Sequence, residues 1–426
     1  MSKAYQLTPE QIALSQERKL KKQLGAQKTT EPTKHDPRGD VLPREWLRVQ
    51  RADGDVESSS SVRVKEVDRT EKLFPILEKA GYTCVYTSGP RKKHGCTIAF
   101  RKESFVEVDR RTIFYDDEEV RDSTVENLLA RKAGTRVTKN IANIVALRHQ
   151  KNPEDGVIVA TTHLFWHPRQ AGILFREVDK FRQKLGKPEW PCIVAGDFNF
   201  QPNDAAYSLL VGDTLLPDQL ENLKISRVVH TTLDPTIQLA TPAAAAAEDQ
   251  EEDESGGGQS DPDKIITNAR KARSEDGLLS DEELADLFRR SWRVVSAYDT
   301  GLRAMQADSE RKVHELTFGS RVATAPDRHG ANEPVWTSYT HYWKTVLGNS
   351  AFATAYRPPW NSRPTFADYI FVLDTPAAPV SVLSLASPHT ADKFGEGLPR
   401  KGVCGSDHMS LGAELSWPTS SSTARV

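Results

Sequence analysis

Pro191-Cys-Ile-Val-Ala-Gly-Asp-Phe-Asn-Phe-Gln-Pro202 is the stretch on which the reading of this 426-residue chain turns. Cys192 to Ala195 has the length and β-branched content of a buried strand. Gly196 breaks the run, and Asp197 and Asn199 follow. If the chain stays extended there, side chains two apart share a face, so this carboxylate and amide would point the same way. A charge at the end of a buried strand is costly unless it is paired or holds a metal. Gly, Asp and Asn also favour turns on their own account. The segment alone leaves both readings open, a plain turn or a strand end that presents reactive groups.

Two further strand ends share the design. Val157-Ile-Val-Ala-Thr-Thr-His163 runs into Leu164-Phe-Trp-His-Pro168, and Val403-Cys-Gly-Ser-Asp-His408 leads into the last strand. Asp368 is a fourth polar intrusion, within the apolar run Phe366 to Leu373. One strand-end histidine is ordinarily a satisfied structural residue. Four such intrusions on apolar strands need partners, because buried Asp and His are rarely left alone. The set is Glu66, His163, Asp197, Asn199, Asp368, Asp407 and His408. Oxygen-rich and free of cysteine, it suits a hard cation, Mg2+ or Mn2+, better than zinc. Phosphodiester hydrolysis uses such parts: a metal against developing charge, a carboxylate or amide on water, and an imidazole fixed by a carboxylate.

Gly196-Asp-Phe-Asn199, Thr162-His-Leu164 and Ser406-Asp-His408 resemble the signature blocks of the endonuclease/exonuclease/phosphatase superfamily, and they occur in its order. Thr161 to Pro168 and Ala367-Asp-Tyr-Ile370 resemble its deadenylase-like branch of Ccr, Nocturnin, Angel and the fungal Ngl-type RNA exonucleases. Pro43-Arg-Glu-Trp-Leu47 and Lys65-Glu-Val-Asp68 look nearest the Ngl type. The resemblance covers roughly Pro43 to Leu415 and implies a four-layered, two-sheet α/β sandwich. It implies hydrolysis of single-stranded RNA or poly(A) from the 3′ end to 5′-nucleotides, with Mg2+, or Mn2+ in its place. By similarity Glu66 is the metal ligand and Asp407 lies close to the metal. Asp197 and Asn199 position water and phosphate. His408, oriented by Asp368, contacts the scissile phosphate, and His163 is a second phosphate contact. Pro168 matches a residue that packs on a substrate base. Trp166 is either a stacking partner or a core aromatic.

The match breaks near its start. The family begins its catalytic domain with a strand ending in Thr-Tyr-Asn, then a helix, then a second strand ending in Gln-Glu. Nothing here matches the Asn, Lys65 replaces the Gln, and Ser58 to Val64 replaces the apolar strand before Glu66. An incomplete gene model or a splice form accounts for such a gap, as does a degenerate paralogue. The competing functions are therefore a phosphatase or nuclease of the same superfamily acting on another phosphate ester, and a catalytically impaired relative that binds RNA or protein.

The remaining chain fits an α/β or α+β plan. Tyr82 to Tyr86, Cys96 to Phe100, Phe105 to Val108, Thr112 to Phe114, Ile141 to Leu147 and Val380 to Leu385 read as strands. Arg69 to Lys79, Arg169 to Leu185, the segment from Ala205 and the segment after the capping box Ser280-Asp-Glu-Glu283 read as helices. Residues 1–42 are expected to form a basic helix and linker, 43–418 the catalytic domain, and 419–426 a disordered tail. An acidic, disordered insertion is expected at about 241–278, since Glu248 to Asp263 carries eight acids and no Lys or Arg. Without those eight the formal net charge of −2 becomes +6, compatible with a polyanionic substrate. Cys84, Cys96, Cys192 and Cys404 are scattered and read as buried thiols. With no sequon, no apolar signal core and no span-length apolar run, the expectation is an intracellular protein, cytoplasmic or nuclear, away from membranes. No leucine-rich docking repeat precedes the catalytic region, and a monomer is expected.

Overall fold

The computed structural model describes residues 45–49, 61–67, 70–237, 268–290, 292–307, 325, 327–333, 368–387, 408 and 410–418, apart from the side chains of Lys65 and Glu66. In chain order the first elements are β1 (Trp46–Arg48), β2 (Val62–Val67), α1 (Thr70–Lys79), β3 (Tyr82–Ser88), β4 (Gly95–Arg101) and β5 (Phe105–Phe114). There follow α2 (Leu128–Lys132), β6 (Ile141–His149), β7 (Gly156–His163), α3 (Pro168–Leu185) and β8 (Cys192–Asp197). Next are α4 (Ala205–Val211), α5 (Pro217–Ile225), β9 (Val228–His230) and β10 (Ala269–Lys271). The described chain closes with α6 (Asp281–Leu287), β11 (Arg293–Ser296), α7 (Ala297–Ala307), β12 (Asp368–Asp374), β13 (Ser381–Ala386) and β14 (Ala413–Ser416).

A six-stranded sheet in the order β11-β12-β8-β7-β6-β5 carries the fold. Only β7 and β8 are parallel within it; the other neighbours are antiparallel. Both of its faces are covered, which is why β6 and β7 read as near-continuous apolar runs. Side chains alternate between the two sides. Ile144, Ala146, Ile158 and Ala160 join one core with Ile173, Phe175, Val178 and Phe181 of α3. Val145, Leu147, Val157 and Val159 join the other, with Val85, Ile98 and Phe100 of β3 and β4. The result is an α/β sandwich, a helical layer on one side of the central sheet and a second β layer on the other. On β3, Phe74 of α1 meets Tyr86 edge to face at 5.6 Å.

That second β layer differs from the single sheet expected. Among the described residues it consists of two three-stranded ladders, β2-β4-β3 and β1-β13-β14. The first shares its core with β6 and β7. The second packs Leu47, Tyr298, Val382 and Leu385 together with Ile370 of β12. β2 pairs only with β4, and β14 only with β13, so no described strand joins the halves. Residues 50–60, within the stretch where the resemblance breaks, lie outside the described residues.

The strand before Glu66 is nevertheless present, against expectation. Val62 to Val67 pairs antiparallel with β4, because Val62 and Val64 pack onto the core of that layer. Phe105–Phe114 is one strand where two are expected; a bulge between Glu107 and Asp109 keeps its pairing with β6 unbroken. The expected insertion also ends sooner, since β10 pairs with β9 within 241–278. Arg270 is the cause: it is 2.7 Å from Asp234 and donates twice to Asp276, each at 2.7 Å. The N-terminal helix, residues 238–267 and the tail lie outside the described residues. No helix among those described is long and apolar enough to cross a membrane.

Helix starts follow their local chemistry. His167 caps α3, its Nδ1 accepting from the Arg169 backbone at 3.3 Å, with Pro168 at the first helical position. Ser280 and Glu283 form both halves of the capping box of α6, at 3.1 and 2.9 Å. Phe371 is fully buried among Phe175, Phe198, Tyr207 and Tyr369. Phe371→Ala should lower the unfolding free energy by about 3–5 kcal/mol, read from urea denaturation with an unchanged slope.

Candidate active site

Three strand ends meet because of the sheet's topology. β7 and β8 run parallel in a register that sets His163 beside Asp197. β12 runs antiparallel to β8 and begins where β8 ends, so Asp368 lies opposite Asp197. Residues paired in register share a face. Asp197 has the parity of Ile193, His163 that of Val159 and Asp368 that of Ile370, all turned toward the second β layer. β2 in that layer carries Glu66, paired with Cys96. The side chain of Glu66 and all of Asp407 lie outside the described residues.

The chain turns sharply after Asp197. Asn199 has φ +54°, the left-handed region that Asn tolerates better than most residues. Its backbone N–H donates to Asp197 Oδ1 at 2.8 Å, and its Nδ2 reaches Leu164 O at 2.9 Å and His163 Nε2 at 3.0 Å. Both readings of this segment therefore hold: it is a turn, and the turn delivers the amide to the imidazole. Gly196 is required by close approach, since a Cβ there would lie 2.1 Å from the Thr162 carbonyl oxygen. Phe198 returns to the aromatic core, and Tyr369 Oη donates to Phe200 O at 2.9 Å.

His408 completes the constellation. Its Nδ1 is 2.8 Å from Asp368 Oδ2, which fixes the ring and leaves Nε2 facing Asp197 Oδ2 at 3.8 Å. His163 Nε2 approaches the same oxygen at 3.7 Å. Asp197 is thus a carboxyl between two imidazoles, and it is more deeply buried than either, 14% exposed against 25% and 21%. Burial pushes its pKa up from 3.8 to about 6; His163 and His408 pull it back, and the Asp368 carboxylate adds to the rise. Ligand atoms of Asp197, Asp368 and His408 all lie within 4.8 Å of one another. Two carboxylates and an imidazole, one carboxylate costly to ionise as it stands, fit a divalent cation.

The flanking loop is placed differently from the core of the site. Pro168 is buried as the first residue of α3, so its ring is not presented to a base. Trp166 is half-buried, tilted against Phe165 at 5.3 Å, and its buried Nε1 has no hydrogen-bond partner. Several supports carry no signal in the sequence. Gln170 accepts from the Phe165 backbone at 2.8 Å, and the Thr162 hydroxyl donates to Ile141 O at 3.0 Å. Asn143 Nδ2 bridges the two β layers by donating to Cys96 O at 2.8 Å. Only the polar interruption of an apolar strand could have flagged Asn143.

A model of the Endonuclease/Exonuclease/phosphatase family matches residues 60–408. A probable RNA exonuclease of Schizosaccharomyces pombe is 37% identical over 142 residues, 32% of this chain and 26% of that protein. RNA exonuclease NGL2 of Saccharomyces cerevisiae is 24% identical over 363 residues, 80% of this chain and 65% of that protein. The chain thus matches between about a quarter and about two thirds of the length of these two relatives. The human Nocturnin catalytic domain with bound sulfate is similar at 15% identity and a TM-score of 0.41, covering 84% of this chain and 81% of that one.

The raised Asp197 pKa ties stability to pH. Below about pH 4 the carboxyl is protonated in both the folded and the unfolded chain and has no effect. Between about 4 and 6 the unfolded chain ionises first, so stability falls as pH rises, and the penalty is complete above the folded pKa of about 6. A cation that replaces the proton relieves it. Mn2+ should therefore raise the thermal midpoint more at about pH 7.5 than at about pH 5, and Asp197→Asn should flatten that difference, as followed by calorimetry.

Proposed function

We propose that this chain, which belongs to the Endonuclease/Exonuclease/phosphatase family, is a divalent-cation-dependent exoribonuclease that hydrolyses single-stranded RNA from the 3′ end to 5′-nucleotides. The observation that carries the reading is the buried Asp197 carboxyl held between His163 and an Asp368-fixed His408. The names of the similar proteins, RNA exonucleases among them, support RNA as the polymer.

A Mg2+ or Mn2+ ion bound here would supply positive charge against the phosphoryl oxygens. In this reading Glu66 and Asp407 would hold it. Asp197 takes the proton of the attacking water, a task suited to a carboxyl whose pKa of about 6 lies near neutrality. Asn199 orients that water and the phosphate. His408 Nε2 contacts a phosphate oxygen, and the Asp368 carboxylate keeps Nδ1 protonated so that the ring cannot turn. His163 Nε2, held by the Asn199 amide, makes the second phosphate contact. Water adds to phosphorus, the 3′ oxygen of the preceding nucleotide leaves, and a 5′-nucleotide is released. With Pro168 buried, contact with the terminal base falls to Trp166.

Impaired catalysis is a second reading, favoured by the β layer that bears Glu66, whose two ladders no strand joins among the described residues. One substrate panel separates the possibilities. The chain should release 5′-AMP from a 3′-labelled oligo(A) only with Mg2+ or Mn2+, and Asp197→Asn or His408→Ala should lower kcat at least about 100-fold. Internal cleavage, turnover in chelator, or unchanged variants would sink the proposal. Preferential release of phosphate from a sugar phosphate would move the substrate to another ester. If the chain is inactive on every substrate, a form with a Thr-Tyr-Asn strand inserted between Val49 and Val62 should both gain activity and unfold at a higher temperature.

A further inference from the structure

Rows of paired residues order the region behind the strand ends. His163, Asp197 and Asp368 form one row, across β7, β8 and β12. Two residues back, about 7 Å along the strands, Thr112, Asn143, Thr161, Ala195 and Ile370 form the next row of the central sheet. In the second β layer, Glu66 of β2 and Thr87 of β3 are paired with Cys96 of β4 from its two sides.

Hydrogen bonds tie these last two rows together. Asn143 Nδ2 donates to Cys96 O at 2.8 Å. The Thr112 hydroxyl donates to Asn143 Oδ1 at 3.0 Å, and the Thr87 hydroxyl lies 3.4 Å from that of Thr112. Asn143 is only 2% exposed, and a protein partner holds each end of its amide, so the side chain has one orientation. Farther from the site, Val85, Ile98 and Phe100 pack on Val145, Leu147 and Val159, contacts that attract without direction. Apolar packing of that kind tolerates a small slide of one layer over the other. A hydrogen bond does not, since about half an ångström of stretch takes it out of range. The bond to Cys96 therefore sets the level of the Glu66 backbone against the row of Asp197.

We infer that Asn143 is a positioning residue: through Cys96 it sets the separation of the Glu66 strand from the strand ends that bear Asp197 and Asp368, and with it the affinity for a divalent cation. The inference rests on the reading of Glu66 as a cation ligand. Asn143 acts through the backbone of the paired strand, and Thr112 acts by holding the Asn143 amide in place.

Calorimetric titration of the whole chain with Mn2+, in the absence of RNA, tests it. Asn143→Leu keeps the size of the side chain and removes both bonds. It should weaken Mn2+ roughly tenfold to hundredfold, as loss of a group behind a metal ligand commonly does. Thr112→Val should weaken Mn2+ as well, whereas Thr112→Ser, which keeps the hydroxyl, should bind it as the native chain does. A merely structural role would lower the thermal midpoint and act independently of Glu66. A role through Glu66 shows as coupling: Glu66→Gln alone should weaken Mn2+, and adding Asn143→Leu should change the affinity by less than about twofold. Unaltered Mn2+ affinity in Asn143→Leu, or an undiminished loss in the Glu66→Gln background, would overturn the assignment and leave the nuclease reading standing. Failure of the native chain to bind Mn2+ would remove both. Where Asn143→Leu does not fold, Thr112→Val and Thr112→Ser carry the same comparison.

Discussion

The parallel pairing of β7 with β8 is the constraint on which the molecule turns. It is the one parallel pair in the central sheet, and it brings two strands to a common end. An antiparallel neighbour in that position would have put His163 and Asp197 at opposite ends. α3 makes the crossover and must then be buried, which explains its long run of buried positions. With β12 returning antiparallel on the other side of β8, an acid arrives from a distant part of the chain at the same level. Ionisable groups thus sit where strands stop, on a frame whose rigidity comes from burial of both sheet faces.

The cost of this arrangement falls on Asp197. Burial opposes its ionisation, and the two imidazoles only partly offset that. A site prepared in this way is poised for positive charge, a cation or a proton, and is least comfortable without either. Its surroundings are correspondingly stiff. The missing side chain of Gly196 lets β8 lie against Thr162, the aromatic cluster around Phe198 and Phe371 fills the space below, and the Tyr369 hydroxyl ties down the Phe200 backbone. The geometry of the turn is therefore set by packing on the opposite face of the sheet.

The second β layer is built from two separate ladders among the described residues. Its two ladders each bury one face on the central sheet or on α7, but neither is closed by the other among the described residues. Backbone groups along an unpaired strand edge lose the ladder bonds that a neighbour would supply. The helical layer carries a dense network of paired charges.

Much of this was legible in the sequence. Apolar runs located β6, β7, β8 and β12, their polar ends named His163, Asp197 and Asp368, and Ser280 with Glu283 announced the start of α6. These are local signals, set by side-chain periodicity and capping chemistry within a few residues. What the sequence left open was whether Asp197-Phe-Asn199 is a turn or an extended pair; only the folded chain shows that the turn itself carries Asn199 to His163. Likewise the strand Val62–Val67 could not be read from its serine-rich approach, because its stability comes from β4 and a core assembled by distant residues. The burial of Pro168 was invisible for the same reason. Identity and spacing fix which groups a chain carries, whereas register and packing between remote segments fix what those groups face.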